Sequence, residues 1–110
     1  MIEQFLSPTT KRILVYPTPI DTRLSPDSLR ATSEQGLGIE LDRDTGVLFH
    51  NRAKTTLILY ALDYDGDRCL SKKLDRGAFM LPVPSEGEAY VLLDVARVGS
   101  LFRSPVRKRR

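Results

Sequence analysis

Tryptophan is absent from the 110 residues, and cysteine and histidine occur once each, as Cys69 and His50. A lone thiol cannot close an internal disulfide, so nothing in the chain asks for an oxidising compartment. One Cys and one His fall short of the ligand set of a structural zinc site; Cys69 reads instead as a small buried apolar residue. A Ser-His-Asp triad would have to use His50, which sits in a strand-like run with no nucleophile elbow beside it. No glycine-rich phosphate loop is present, since Gly36 and Gly38 follow a helical stretch rather than open one. No apolar run reaches the roughly 18–20 residues that a membrane span needs, and Met1–Thr10 lacks the basic start and apolar stretch of a secretory leader. The expectation is a reduced, cytoplasmic protein without catalytic machinery, cofactor or metal.

What is present is an ordinary globular composition, 41% hydrophobic and 28% charged, in a length that suits one core. The net charge of +3 is unevenly placed. Five of the 17 basic residues (Arg103, Arg107, Lys108, Arg109 and Arg110) fall in the last eight positions with no acid among them. The rest of the chain then holds 12 cations against 14 anions, a slightly acidic body with a cationic tail. Such a tail suits phosphate backbones or an acidic protein surface, or serves only solubility. The organisation predicted is a flexible N-terminal arm over 1–10, a single α+β domain over 11–102 and a basic tail over 103–110.

Along the chain, Arg12–Tyr16 is β-branched and aromatic enough for a first strand, stopped by Pro17 and Pro19. Ser25 as N-cap, Pro26 at the first helical position and a Leu24–Leu29 staple predict a helix to Gln35, with Gly36 as its stop. Residues 38–41 read as a brief extended piece and Val47–His50 as a second strand. Thr56–Tyr64 carries apolar residues on both faces, Leu57, Leu59 and Ala61 on one and Ile58, Tyr60 and Leu62 on the other, as a covered central strand does. Asp65-Gly66 predicts a two-residue type I′ hairpin. That register pairs Tyr64 with Asp67, Asp63 with Arg68, Leu62 with Cys69 and Leu57 with Leu74. Phe79–Pro84 reads as extended. A capping box at Ser85 and Glu88 predicts a helix over 86–98, while the valines leave a strand reading open for 89–98. The sum is an α+β fold: a small antiparallel β-meander of about 4–5 strands packed with two helices.

Acidic clusters at Asp42, Asp44 and at Asp63, Asp65, Asp67 lack the spacing of a calcium loop, and turn chemistry accounts for both. Asp21, Asp63 and Asp65 would make a metal-dependent nuclease only if folding brought them together. Basic residues near rings (Arg23, Arg52, Lys72, Lys73 and Arg76 with Tyr16, Phe49, Tyr60 and Phe79) suit a single-strand groove, unless the rings are core.

The stretch from Pro19 to Pro82 resembles the TnpB accessory-protein family of insertion-sequence-66 transposons. The family's Pro-x-Asp-x-Arg motif stands as Pro19-Ile20-Asp21-Thr22-Arg23. Its glycine, Phe-ending apolar pair and Asn-Arg stand as Gly46, Leu48-Phe49 and Asn51-Arg52. Its Trp-Asp-x-x-Gly hairpin is similar to Leu62-Asp63-Tyr64-Asp65-Gly66, with Leu62 in place of the tryptophan. Its basic stretch before Phe-x-x-Pro is similar to Lys72-Lys73-Leu74-Asp75-Arg76-Gly77-Ala78-Phe79-Met80-Leu81-Pro82. The resemblance implies a non-catalytic accessory protein of transposition that partners the element's transposase, its DNA, or both. Candidate contacts are Arg23, Arg52, Lys72, Lys73, Arg76 and the tail residues Arg107, Lys108, Arg109 and Arg110. Asp21, Asn51, Asp63, Gly66 and Gly77 are expected to orient them. A structural dimerisation module, a homodimer in particular, stays open as an alternative.

Overall fold

The computed structural model describes residues 10–103. The fold is α+β: a five-stranded sheet carries one helix on each face. The elements are β1 (Arg12–Val15), α1 (Pro26–Leu37), β2 (Thr45–His50), β3 (Thr56–Leu62), β4 (Asp67–Lys73), β5 (Val91–Leu93) and α2 (Val95–Arg103). The sheet order is β4-β3-β2-β1-β5. Pairing is antiparallel throughout except between β1 and β2, which run parallel. The chain between them crosses over through α1, so this half is a βαβ unit rather than part of a meander.

The double-faced reading of β3 is what the structure shows. Leu57, Leu59 and Ala61 enter a core with Ile13, Val15, Leu48, Phe79 and the α2 residues Val98, Leu101 and Phe102. Ile58 and Tyr60 enter a second core with Leu14, Tyr16, Val47, Phe49 and the α1 residues Leu29 and Leu37. Each fully buried side chain of this size contributes about 1.5–3 kcal/mol. Tyr16, Phe49, Tyr60 and Phe79 are all buried, so these rings are core and offer no stacking platform. The Tyr60 hydroxyl is not orphaned: it donates to Asp67 Oδ2 at 2.7 Å, and burial first, then this carboxylate, pushes the phenol pKa up.

Helix α1 starts where its punctuation places it, with Ser25 Oγ accepting from the Ser28 N–H at 3.2 Å and Pro26 following. It does not stop at Gly36. The left-handed cap is Gly38, at φ 67°, whose N–H returns to Glu34 O. Gly36 serves the packing instead, because a Cβ there would stand 1.9 Å from the Tyr16 hydroxyl.

The predicted hairpin register is corrected. In the β3–β4 hairpin Leu62 pairs with Asp67, Ala61 with Arg68 and Leu57 with Lys72. The loop is therefore 63–66, closed by Asp63 N–H to Gly66 O at 2.7 Å. Neither Asp65 nor Gly66 takes the positive φ that a type I′ turn requires. The Asp63 carboxylate accepts from the Tyr64 N–H at 2.8 Å and anchors the wider turn. The shift is two residues, so every side chain keeps its face. Arg68 still reaches Asp63, at 2.6 Å, now as a diagonal ion pair.

The helix over 86–98 is not formed. Ser85 and Glu88 do bond reciprocally, but Gly87 at φ 88° turns the chain away. Val91–Leu93 becomes β5 against β1, and Asp94 is the true cap, its carboxylate accepting from Arg97 N–H at 2.7 Å. Cys69 is exposed on the outermost strand rather than buried, and residues 38–41 form no strand.

Candidate functional site

Strand directions sort the loops. The ends of β1, β2 and β4 and the start of β3 share one end of the sheet. Three segments distant in sequence meet there: 17–24, 51–55 and 74–84. Ile20 N–H bonds His50 O at 2.9 Å, Leu74 N–H bonds Thr55 O at 2.8 Å, and Phe79 N–H bonds Lys54 O at 2.7 Å. These segments carry the Pro-x-Asp-x-Arg, Asn-Arg and Phe-x-x-Pro motifs. Between them opens a cleft of about 210 Å³ whose lining includes Pro17, Pro19, Arg52, Lys54, Pro82 and Pro84.

Asn51 organises the β2–β3 turn. Its Oδ1 accepts from the N–H groups of Thr55 and Thr56 at 2.9 and 3.1 Å, and its Nδ2 donates to Thr55 Oγ1 at 2.9 Å. Its carbonyl takes the Lys54 N–H and the Nδ1–H of the buried His50. Lys54 is held at φ 60°, a left-handed conformation that a side chain adopts only when its surroundings impose it. Asn51→Ala leaves two backbone donors without their acceptor. We expect a loss of about 1–3 kcal/mol, read as a fall in urea midpoint with unchanged m-value. An unchanged midpoint would show that the turn holds without this clamp.

The basic residues divide into three sets. Arg23 is spent locally: its side-chain exposure is 89%, yet Nε and Nη2 fork onto Asp21 at 3.1 and 3.0 Å, and its N–H also bonds Asp21 Oδ1. These hydrogen bonds from Arg23 pull the Asp21 carboxyl down to about 2, so the pair stays ionised at any physiological pH. Lys72 is held too, its Nζ donating to Phe102 O at 2.6 Å, a cation on the C-terminus of α2. Arg52, Lys73 and Arg76 are exposed at this end, Arg52 on the β2–β3 turn beside the cleft and Lys73 and Arg76 at and just beyond the end of β4. Gly77, at φ 75°, forms the turn that presents Arg76. Lys54, Lys72 and Arg103 (the residue after Phe102) lie at the same end, with Asp75 the acid of the adjoining turn; Lys72 and Lys73, consecutive on β4, point to opposite faces of the sheet. Arg107, Lys108, Arg109 and Arg110 lie outside the described residues, as do 1–9 of the expected arm.

The other end carries Asp42, Asp44, Asp63, Asp65 and Asp67 together with Lys11, Arg12, Arg43 and Arg68. The Arg43 guanidinium lies 4.2 Å from the Tyr64 ring centre, which draws the 42–44 and 63–66 loops together. Hydrogen bonding to the Tyr64 N–H, then Arg68, holds the Asp63 carboxyl below its usual range. Asp21 sits at the first end and Asp63 and Asp65 at the other, separated by the seven residues of β3, about 20 Å. Among the described residues no group of three His, Cys, Asp or Glu side chains is placed to hold a metal ion.

Sequence reasoning missed Lys54 and the proline-lined cleft. The available signal was a lysine three positions after the turn-forming Asn51, facing Pro82-Val83-Pro84 across a turn.

In comparison with protein families, the family described as IS66 Orf2-like protein matches residues 11–106. Neither the curated proteins nor the solved structures give a match.

Proposed function

The chain belongs to the IS66 Orf2-like family of transposon proteins, and from that premise we propose that it acts by binding rather than catalysis, holding element DNA against its basic end in company with the element's transposase. The chain is an accessory protein of transposition; the DNA contact is the reading that its charge layout favours. The observation that carries it is the uneven placement of charge. Arg52, Lys54, Lys73 and Arg76 all lie at one end of the sheet, while at the far end Asp42, Asp44, Asp63, Asp65 and Asp67 outnumber Lys11, Arg12, Arg43 and Arg68 by one. Such an asymmetry turns the basic end toward a polyanion. Phosphate contacts of this kind fix position and carry no sequence preference themselves. The cationic tail, Arg107–Arg110, adds to the same contact. Arg23 contributes less, because Asp21 already neutralises it. The split of Asp21 from Asp63 and Asp65 argues against a nuclease.

The test is salt-dependent binding of a duplex taken from the element's end, followed by fluorescence anisotropy. Each phosphate contact adds about 0.9 to the slope of log affinity against log salt, so Lys73→Gln with Arg76→Gln should flatten it by about 1.8. Asp65→Asn, at the far end, should leave the slope in place. An unchanged slope in the double variant would remove the basic end from the interface. Loss of transposase co-purification in that variant, with DNA binding intact, would make the basic end a protein contact.

A further inference from the structure

The two outer strands of the sheet are built differently. β4 carries Asp67, Arg68, Lys72 and Lys73 along its seven residues, the charged dressing that keeps an edge from pairing with other chains. β5 is Val91-Leu92-Leu93 with no charge, and Leu92 is 55% exposed. The direction of its backbone groups follows from the neighbouring ladder. Tyr16 N–H bonds Leu48 O, so alternate residues of β1 face β2, while Ile13 and Val15 face β5. Their partners Leu93 and Val91 therefore point at β1, and Leu92 turns its N–H and C=O outward.

We propose that this edge is a homodimer interface, in which β5 of one copy pairs antiparallel with β5 of a second about a two-fold axis at Leu92. The inference is independent of DNA binding. Centred there, Leu92 meets Leu92 of the second copy as a hydrogen-bonded pair that exchanges both N–H···O bonds and stacks the two side chains on one face. The surface around the strand is self-complementary. A cleft bordered by Glu88 lies toward one end of β5 and a cleft bordered by Arg97 toward the other, where the Asp94 carboxylate is engaged as the cap of α2, and Leu92 lines both. The two-fold axis lays the Glu88 side of each copy against the Arg97 side of the other, as an isologous contact requires. The result is a continuous ten-stranded sheet whose remaining edges are the charged β4 strands.

The test uses the full chain in two measurements. Sedimentation at rising concentration should show a doubling of mass for the wild type, and Leu92→Lys should stay monomeric with the same circular dichroism and melting temperature. In a Cys69→Ser background, Leu92→Cys should cross-link under oxidised glutathione, since directly opposed Cα atoms about 5.5 Å apart lie within disulfide range. The rate should exceed that of the more exposed control Tyr64→Cys by at least about tenfold, the gain expected from a preformed pair. A wild type that remains monomeric, with Leu92→Cys no faster than the control, overturns the proposal. So does a monomeric wild type whose transposase co-purification is lost on Leu92→Lys, which would assign the edge to that partner.

Discussion

Phe49→Ala should destabilise the domain by about 3–5 kcal/mol. Phe49 is fully buried on β2, the middle strand of the sheet, its ring 5.1 Å from that of Tyr16 and tilted by 39°. Strands lie on both sides of β2 and α1 covers this face, so the backbone cannot collapse into the space the ring leaves. Domains of this size have about 5–15 kcal/mol in total, which makes this single truncation close to unfolding. The melting temperature should fall by at least about 12 °C, since each kcal/mol is worth about 4–8 °C here. Phe49→Leu keeps most of the volume and should cost much less. A drop of only a few degrees for the alanine variant would mean that this core repacks and that β2 is not its fixed centre.

The second large effect belongs to the tail. Deletion of residues 104–110 removes Arg107, Lys108, Arg109 and Arg110 and leaves Phe102, whose carbonyl Lys72 holds, in place. If all four cations engage phosphates, the salt slope on duplex DNA should flatten by about 3.6. Between 50 and 200 mM salt the full chain should then lose on the order of a hundredfold more affinity than the truncated one. Any sequence preference should persist in weaker binding, because base contacts specify where phosphate contacts position. Unchanged DNA binding with loss of transposase co-purification would place the tail on the protein partner. No change in either would leave it a solubilising end.

The local chemistry of the chain determined a good deal by itself. Ser25, Pro26 and Leu29 fix the start of α1, because caps and staples act within a few residues. The two apolar faces of β3 announced a covered central strand, and the ordered motifs from Pro19 to Pro82 pointed to the family. The tertiary structure decided what depends on residues far apart. Gly36 reads as a helix stop until the Tyr16 ring is seen against it. Val91–Leu93 reads equally as helix or strand, and β1, which has a free side to pair, selects strand. The parallel β1–β2 pair brings the 17–24 and 51–55 loops to one end and, with β3 and β4, sends Asp63 and Asp65 to the other. Charge counts along a sequence carry no direction; the strand order gathered Arg52, Lys54, Lys73 and Arg76 at one end of a nearly neutral body and left the other end mixed in charge.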